Sequence, residues 1–211
     1  MQRARPVRQR HRALIPSAPK LAALAITPDE YARRRHQLMQ MAGEDAVLLV
    51  AAAPERMRNA DAAWPYRQDS DFHYLAGFPE ADAVLALLPG RKHGEVVLFC
   101  RERDPARERW HGQSIGTEQA VAGYGMDDAF PIEDIDDILP GMIEGRGRVY
   151  CHFGREPEFD AQLLGWMRKL RMATHSGIGH TTVPEIGRKM LQKILPALVL
   201  QLDEIHSSHD S

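Results

Sequence analysis

A continuous apolar run at residues 46–53 constrains the fold of this chain more than any other feature. The run reads AVLLVAAA and lies between Gly43 and Pro54. An apolar stretch of this length between two turn-forming residues is typical of a strand that is buried on both faces. The sequence therefore predicts a sheet with this strand inside it.

The pattern around this run predicts further strands and several helices. Strands are expected at 83–88, 95–100 and 148–153. The loop PGRKHG joins the strand at 83–88 to the strand at 95–100 as a hairpin. Helices are expected at 118–122, 132–143 and 158–171. Strands with helices on both sides of them in the sequence favour a three-layer α/β domain, and the mixture of a hairpin with crossovers predicts a mixed β-sheet flanked by helices.

A helix is also predicted to begin at Thr27 and to end at Gly43. Thr27 is expected to cap it, Pro28 to occupy its first position, and Glu30 to complete a capping box. The run of three arginines at 33–35 is expected to form a solvated face with partners one turn away. The alternative for these arginines is a phosphate site.

Charge and hydropathy exclude two classes of partner. The 211 residues carry 27 Lys and Arg against 29 Asp and Glu, so we expect no nucleic-acid partner. No apolar run approaches the roughly 18 residues that a membrane span needs, so we expect no membrane partner. The first 25 residues are basic and contain no acid. We expect them to be a disordered leader, and the alternative is a mitochondrial transit peptide.

The sequence contains none of the common catalytic motifs. It lacks the glycine-rich dinucleotide and phosphate loops, the Gly-x-Ser-x-Gly elbow and the His-Glu-x-x-His zinc motif. Cys100 and Cys151 end two predicted strands, so we expect buried, reduced thiols, not nucleophiles. The histidine pairs 175/180 and 206/209 are expected to be solvated. No catalytic residue and no metal ligand is assigned.

Two segments stand out. The first, at 64–78, reads WPYRQDSDFHYLAGF. Phe72 and Tyr74 alternate with polar residues as on a half-buried strand, and Arg67 stands near Asp69 and Asp71, which could hold the loop by charge-assisted hydrogen bonds. The segment is either a structured loop that leads into a strand or a surface that receives a ligand.

The second segment, at 103–112, reads RDPARERWHG and follows the strand that ends at Cys100. A tryptophan is costly to leave in water. Trp110 is therefore expected either to fold back onto its own domain or to fill the pocket of a partner.

These two segments, in this order, resemble the N-terminal domain of the Xaa-Pro aminopeptidases (aminopeptidase P), and the resemblance covers residues 26–171. It implies the three-layer N-terminal fold of aminopeptidase P and creatinase. It also implies a two-domain metallopeptidase. In such enzymes the second domain binds two divalent cations, usually manganese, through two Asp, one His and two Glu, and a bridging hydroxide attacks the carbonyl before proline.

The chain ends at Ser211, before any segment that resembles this second domain. We therefore expect no cofactor in this chain, two Mn2+ only in full-length members of the family, and a truncated or inactive fragment. Residues 172–211 are expected to be a divergent tail, with an apolar helix over 183–202 that is kinked at Pro196. The alternative is a stand-alone peptide- or protein-interaction domain that kept the fold and lost the chemistry.

The resemblance also implies roles for single residues. Trp110 is expected to reach towards the cleft of a neighbouring subunit, and together with Arg67 and Tyr74 to shape the substrate site or to contact a subunit. The expected partners are further copies of the chain or a catalytic domain, and a peptide substrate only in the full-length protein. The expected location is the cytoplasm, or the mitochondrion if the leader is a transit peptide.

Overall fold

The computed structural model describes residues 26–59, 64–104, 114–175 and 185–187. Helices and strands are interspersed along these residues, as the sequence predicts. In chain order they are α1 (Pro28–Ala42), β1 (Ala46–Ala51), α2 (Ser70–Ala76), β2 (Val84–Leu87), β3 (Val96–Cys100), α3 (Gly116–Tyr124), β4 (Asp128–Pro131), a short 3-10 turn (Ile132–Asp134), α4 (Ile135–Ile143), β5 (Arg148–Cys151), α5 (Pro157–His175) and β6 (Glu185–Gly187).

The strands form one mixed sheet in the order β4-β3-β2-β1-β5-β6. Strand β2 runs antiparallel to both of its neighbours, β1 and β3. The other neighbouring pairs are parallel. Strands β1, β3, β4, β5 and β6 consequently end at the same edge of the sheet, which we call the carboxyl edge. The prediction of a mixed sheet is confirmed.

Each face of the sheet is covered by its own layer of helices. Leu48 and Val50 of β1 face one core, which includes Leu38 of α1 and Phe72 of α2. Helix α3 joins this layer through its buried Ala120. The alternate β1 residues face a second core, which α4 and α5 cover; its members include Val47, Leu49, Leu139, Leu163 and Trp166. Because both faces are buried, β1 is apolar at every position. The three-layer prediction is confirmed.

The sequence pattern does not predict two of the short strands, β4 and β6. Strand β4 reads DAFP and is half-buried at the sheet edge, so it shows no apolar run. Strand β6 lies within the predicted helix over 183–202. That prediction is wrong at Glu185–Gly187, where the backbone pairs with β5 as an extended strand. The rest of that predicted helix, and the expected leader at 1–25, lie outside the described residues.

The predicted capping box of α1 is wrong. Thr27 is the cap residue, but its side chain makes no cap hydrogen bond. The carboxylate of Glu30 instead binds Arg33 at 2.8 Å and Arg34 at 2.9 Å. A carboxylate one turn before two arginines is drawn towards the guanidinium groups, because these give stronger hydrogen bonds than a backbone N–H.

The expectation of a solvated arginine face is wrong for two of the three arginines. Arg34 is 9% exposed and Arg35 is 2% exposed. Arg35 donates to the carbonyl oxygen of Leu75 at 3.0 Å and to that of Gly125 at 2.9 Å. These are carbonyls at the ends of α2 and α3, where backbone acceptors lack partners within their own helix. The buried arginine supplies the missing donors.

Residues 70–76 form a helix, so the predicted half-buried strand at Phe72 and Tyr74 is wrong. Oδ1 of Asp69 accepts hydrogen bonds from the backbone N–H groups of Asp71 at 3.0 Å and of Phe72 at 2.9 Å, and so caps the helix. Gly77, at φ +63°, ends it in the left-handed conformation. These two end signals decide the local structure over the apparent alternation of aromatic and polar residues.

A candidate interaction site at the carboxyl edge of the sheet

Three loops meet at the carboxyl edge, after β1, β3 and β5. The chain that leaves β1 leads to α2 on one face of the sheet, whereas the chain that leaves β5 leads to α5 on the other face. Two adjacent parallel strands whose connections diverge in this way leave a crevice between them, and such crevices are the usual ligand sites of open α/β sheets.

A small cavity occupies this crevice. Its volume is about 20 Å³, which is room for roughly one water molecule. Side chains of both loops line it together with the ends of the strands. They belong to Leu49, Ala51, Ala52, Ala53, Asp69, His152, Arg155, Glu156 and Phe159.

An ion cluster closes the crevice. The guanidinium of Arg155 binds Asp69 at 2.9 Å and Asp71 at 2.9 Å, through different nitrogens. Nε2 of His152 lies 3.6 Å from Oδ2 of Asp71. The prediction that Arg67 binds these two carboxylates is therefore wrong. Asp69 is oriented by its capping role at α2. Both carboxylates bind Arg155 in the loop after β5, which is close in space, and not Arg67, which is close in sequence.

Burial lowers the pKa of His152 from its ordinary value of 6.5. The negative charge of Asp71 acts against this shift, and the positive charge of Arg155 adds to it. His152 is therefore mostly neutral at pH 7.

Gln68 connects the parts of this edge, and sequence reasoning missed it. Its Oε1 accepts from the N–H groups of Ala53 at 2.9 Å and Asp69 at 2.8 Å. Its Nε2 donates to the carbonyl oxygens of Phe78 at 3.2 Å and Glu80 at 2.8 Å. One amide thus joins the end of the β1 strand to both ends of α2. Among side chains, only an amide can accept two hydrogen bonds through its oxygen and donate two through its nitrogen. No sequence pattern indicates that a particular glutamine has this role.

A second ion cluster lies where β3 ends. Arg101 binds Glu55 at 3.1 Å and Asp82 at 2.5 Å. Nearby, Oε1 of Glu80 accepts a hydrogen bond from the N–H of Ile115 at 2.7 Å. These contacts fix the two described ends of the segment that contains Trp110, while Trp110 itself lies outside the described residues.

A larger, open groove lies between α1 and the start of α2. Its volume is about 400 Å³. The residues that line it are Ile26, Arg34, Arg67, Gln68, Ser70, His73 and Tyr74. The structure therefore brings together two of the three residues that the sequence singled out, Arg67 and Tyr74. Tyr74 also stacks against Arg34, whose guanidinium carbon lies 4.1 Å from the centre of the ring.

The two cysteines are buried and free, as the sequence predicts. Burial raises the pKa of Cys100 to about 12 and the pKa of Cys151 to about 11. Thiols with such pKa values hold almost no thiolate at pH 7, so they are poor nucleophiles.

The described residues do not fit the metal pair that the resemblance implies for its second domain. No group of three His, Cys, Asp or Glu side chains within them could hold a metal ion. The carboxylates of Asp69 and Asp71 are both engaged by the guanidinium of Arg155. In the same part of the chain, no helix has both the length and the apolar character that crossing a bilayer requires.

Comparison with known proteins gives the family. The family model described as "Aminopeptidase P, N-terminal domain" matches residues 31–150. The Xaa-Pro aminopeptidase of Escherichia coli K12 is 35% identical over 154 residues, which are 72% of this chain and 35% of that protein. The human Xaa-Pro aminopeptidase 3 is 38% identical over 159 residues, which are 70% of this chain and 29% of that protein.

Solved structures agree with the sequence relatives. The Pseudomonas aeruginosa aminopeptidase PepP is 51% identical at a TM-score of 0.74, over 79% of this chain and 37% of that one. The low-pH form of E. coli aminopeptidase P is 34% identical at a TM-score of 0.71, over 77% of this chain and 36% of that one. The chain thus spans about a third of the length of these relatives, 35% for the E. coli protein. From the matched domain, the identity and the shared fold, we conclude that this chain belongs to the aminopeptidase P family and corresponds to its N-terminal domain.

Proposed function

We propose that this chain serves as the non-catalytic N-terminal domain of an Xaa-Pro aminopeptidase, an enzyme that releases the residue preceding proline. The match to the N-terminal domain model over residues 31–150 carries the proposal. Relatives named Xaa-Pro aminopeptidase support it from bacteria to mammals. The chemistry would reside in a catalytic domain beyond the matched region.

In this proposal the domain comprises residues 26–171, between a leader at 1–25 and a tail at 172–211. The continuous series of elements from Pro28 in α1 to His175 in α5 supports these limits. We propose a cytoplasmic location, with the mitochondrion as the alternative. One relative, from Arabidopsis thaliana, is named as a mitochondrial intermediate cleaving peptidase.

Two Mn2+ ions belong, in this proposal, to the catalytic domain of the full-length enzyme and not to this chain. One solved structure of E. coli aminopeptidase P is described as zinc-substituted and in complex with product, so that protein holds metal while bound to product. The described residues of this chain offer no matching ligand set.

The proposed contribution of this chain is to shape the substrate site or to contact a subunit, through Trp110, Arg67 and Tyr74. Arg67 and Tyr74 line one open groove. The segment that contains Trp110 leaves from the carboxyl edge, where Arg101 and Ile115 are held by ion pairs and a hydrogen bond. The proposed partners are further copies of the chain and a catalytic domain.

A chimera tests the proposal. Residues 26–171 would replace the matching N-terminal region of the E. coli Xaa-Pro aminopeptidase, and release of the first residue from an Xaa-Pro peptide would be measured with Mn2+. We expect the chimera to cleave and the 211-residue chain alone not to cleave. Trp110→Ala should slow the chimera, whereas the matched control Trp64→Ala, at a tryptophan 56% exposed on another loop, should slow it less.

Two outcomes would contradict the proposal. One is metal-dependent hydrolysis by the purified chain alone. The other is a chimera that folds and binds metal but does not cleave.

A second candidate function is a stand-alone peptide-interaction domain. The open groove favours it, because a cavity of about 400 Å³ lies within the size range of ligand sites. Peptide binding by the isolated chain, together with a chimera that folds and binds metal but does not cleave, would favour this candidate over the first.

A further inference from the structure

Positively charged side chains line the groove between α1 and α2. We call it the Arg67 groove and define it by the seven residues that line it: Ile26, Arg34, Arg67, Gln68, Ser70, His73 and Tyr74. This lining contains two guanidinium groups and one imidazole. Among the described residues, it contains no carboxylate.

The charge of Arg34 is only partly balanced. One carboxylate, that of Glu30, binds both Arg33 at 2.8 Å and Arg34 at 2.9 Å. Two cations therefore share one anion, and a net positive charge remains beside the groove. Arg34 is held in place by its hydrogen bond to the carbonyl oxygen of Tyr74 at 3.1 Å and by the face of the Tyr74 ring.

The charge of Arg67 is not balanced by the acids nearest to it in sequence. Asp69 and Asp71 are both engaged by Arg155 at 2.9 Å. Arg67 is exposed and makes no ion pair with any residue in the described ranges. With respect to the described residues, its guanidinium is thus available to a ligand that enters the groove.

The remaining lining is suited to a peptide. Tyr74 and Ile26 offer apolar surface, and Ser70, Gln68 and His73 offer hydrogen-bonding groups. A few apolar contacts around a small number of placed polar and charged groups are typical of sites for small organic ligands. A guanidinium prefers a carboxylate, to which it can donate two parallel hydrogen bonds.

We propose that the Arg67 groove binds a carboxylate-bearing peptide segment, with Arg67 as the principal anion-binding group. The proposal rests on the proposed substrate-shaping role of Arg67 and Tyr74, and it adds the chemical class of the peptide. The carboxylate is either the side chain of Asp or Glu or the carboxyl terminus, and the groove chemistry is the same for both.

Calorimetric titration of the full chain with three short peptides tests the proposal. The first has two glutamates and blocked ends, the second has two glutamines and blocked ends, and the third has two glutamines and a free carboxyl terminus. We expect the second peptide not to bind. Binding of the first, the third or both supports the proposal and identifies the source of the carboxylate. Equal binding of all three, or of none, overturns it.

Charge reversal at one position then locates the site. Arg67→Glu and Arg67→Ala should weaken binding of the acidic peptide about tenfold or more, because a charge-assisted contact is lost. Arg168→Glu is the matched control, since Arg168 is also exposed but lies on α5, in the layer on the opposite face of the sheet. Binding that survives Arg67→Glu, or that falls equally with Arg168→Glu, overturns the proposal.

The two proposals fail separately. If the chimera described above cleaves its peptide but the chain binds no carboxylate-bearing peptide, only the groove assignment is wrong. If the chain binds such peptides in an Arg67-dependent way but the chimera is inactive, only the enzyme-domain proposal is wrong.

Discussion

Nη2 of Arg35 lies 2.9 Å from the carbonyl oxygen of Gly125, a residue 90 positions further along the chain. The same guanidinium reaches Leu75 through Nη1 at 3.0 Å. A single side chain of α1 therefore joins the ends of α2 and α3, and all three helices lie in the layer that carries the Arg67 groove.

We predict that Arg35→Ala lowers the free energy of unfolding by about 3 kcal/mol, because two buried carbonyl groups lose their donors and a cavity forms. Urea denaturation followed by circular dichroism would measure the change. Arg33→Ala is the control. Its ion pair with Glu30 is partly exposed, at 34% and 22% of the two side chains, so the expected loss is below about 1 kcal/mol. Equal losses in the two variants would contradict a bridging role for Arg35.

We predict that Gln68→Ala destabilises the chain by about 2–3 kcal/mol, since four backbone groups lose their partner at once. The same urea titration measures it. Gln40→Ala, at an exposed amide on α1, should change stability by less than about 0.5 kcal/mol. A loss at Gln68 no larger than at Gln40 would show that the four hydrogen bonds contribute little.

We predict that stability falls as the pH drops below the ordinary His value, and that His152 causes part of this fall. The pKa of His152 is lowered in the folded state, chiefly by burial, from 6.5. Between the two pKa values the unfolded chain binds more protons, so acid favours unfolding from about pH 6.5 down to the folded pKa. His152→Gln should reduce this fall in stability between about pH 7 and pH 5.

Thermal unfolding at a series of pH values would measure that dependence. His93→Gln provides the control, because His93 is exposed on the β2–β3 loop. The assignment fails if the two variants have the same pH profile.

We predict that both thiols react slowly with a disulfide reagent at pH 8 while the chain is folded. Their pKa values of about 12 and about 11 leave little thiolate, and both side chains are at most 1% exposed. Concentrated guanidinium should accelerate the reaction of Cys100 and Cys151 at least about tenfold. A fast reacting thiol in the folded chain would place one of them nearer to the surface than the structure does.

The sheet could be predicted from the sequence because its strands bury both faces. The runs at β1, β2 and β3 are apolar at every position, and this signal survives without any knowledge of their neighbours. Strand β4 lies at the edge and is half-buried, so its four residues carry no such signal.

The candidate site was harder to predict because its contacts join distant residues. Proximity in the sequence predicts Arg67 as the partner of Asp69 and Asp71, but Arg155 reaches them from 84 residues beyond Asp71. A run of three arginines predicts a solvated face of α1, and only the packing of α2 and α3 shows that Arg35 is enclosed. The family resemblance, by contrast, depends on contiguous residues, and the sequence alone was sufficient for it.

The position of β1 in the sheet has a consequence for synthesis of the chain on the ribosome. One edge of β1 is completed early, by β2, but its other edge pairs with Arg148–Cys151. Until that stretch has left the exit tunnel, the longest of the described strands keeps a row of unpaired amide and carbonyl groups, which can template aggregation. Folding of the emerging polypeptide therefore cannot finish before nearly all of the domain has been translated, and this interval is when it most needs a chaperone.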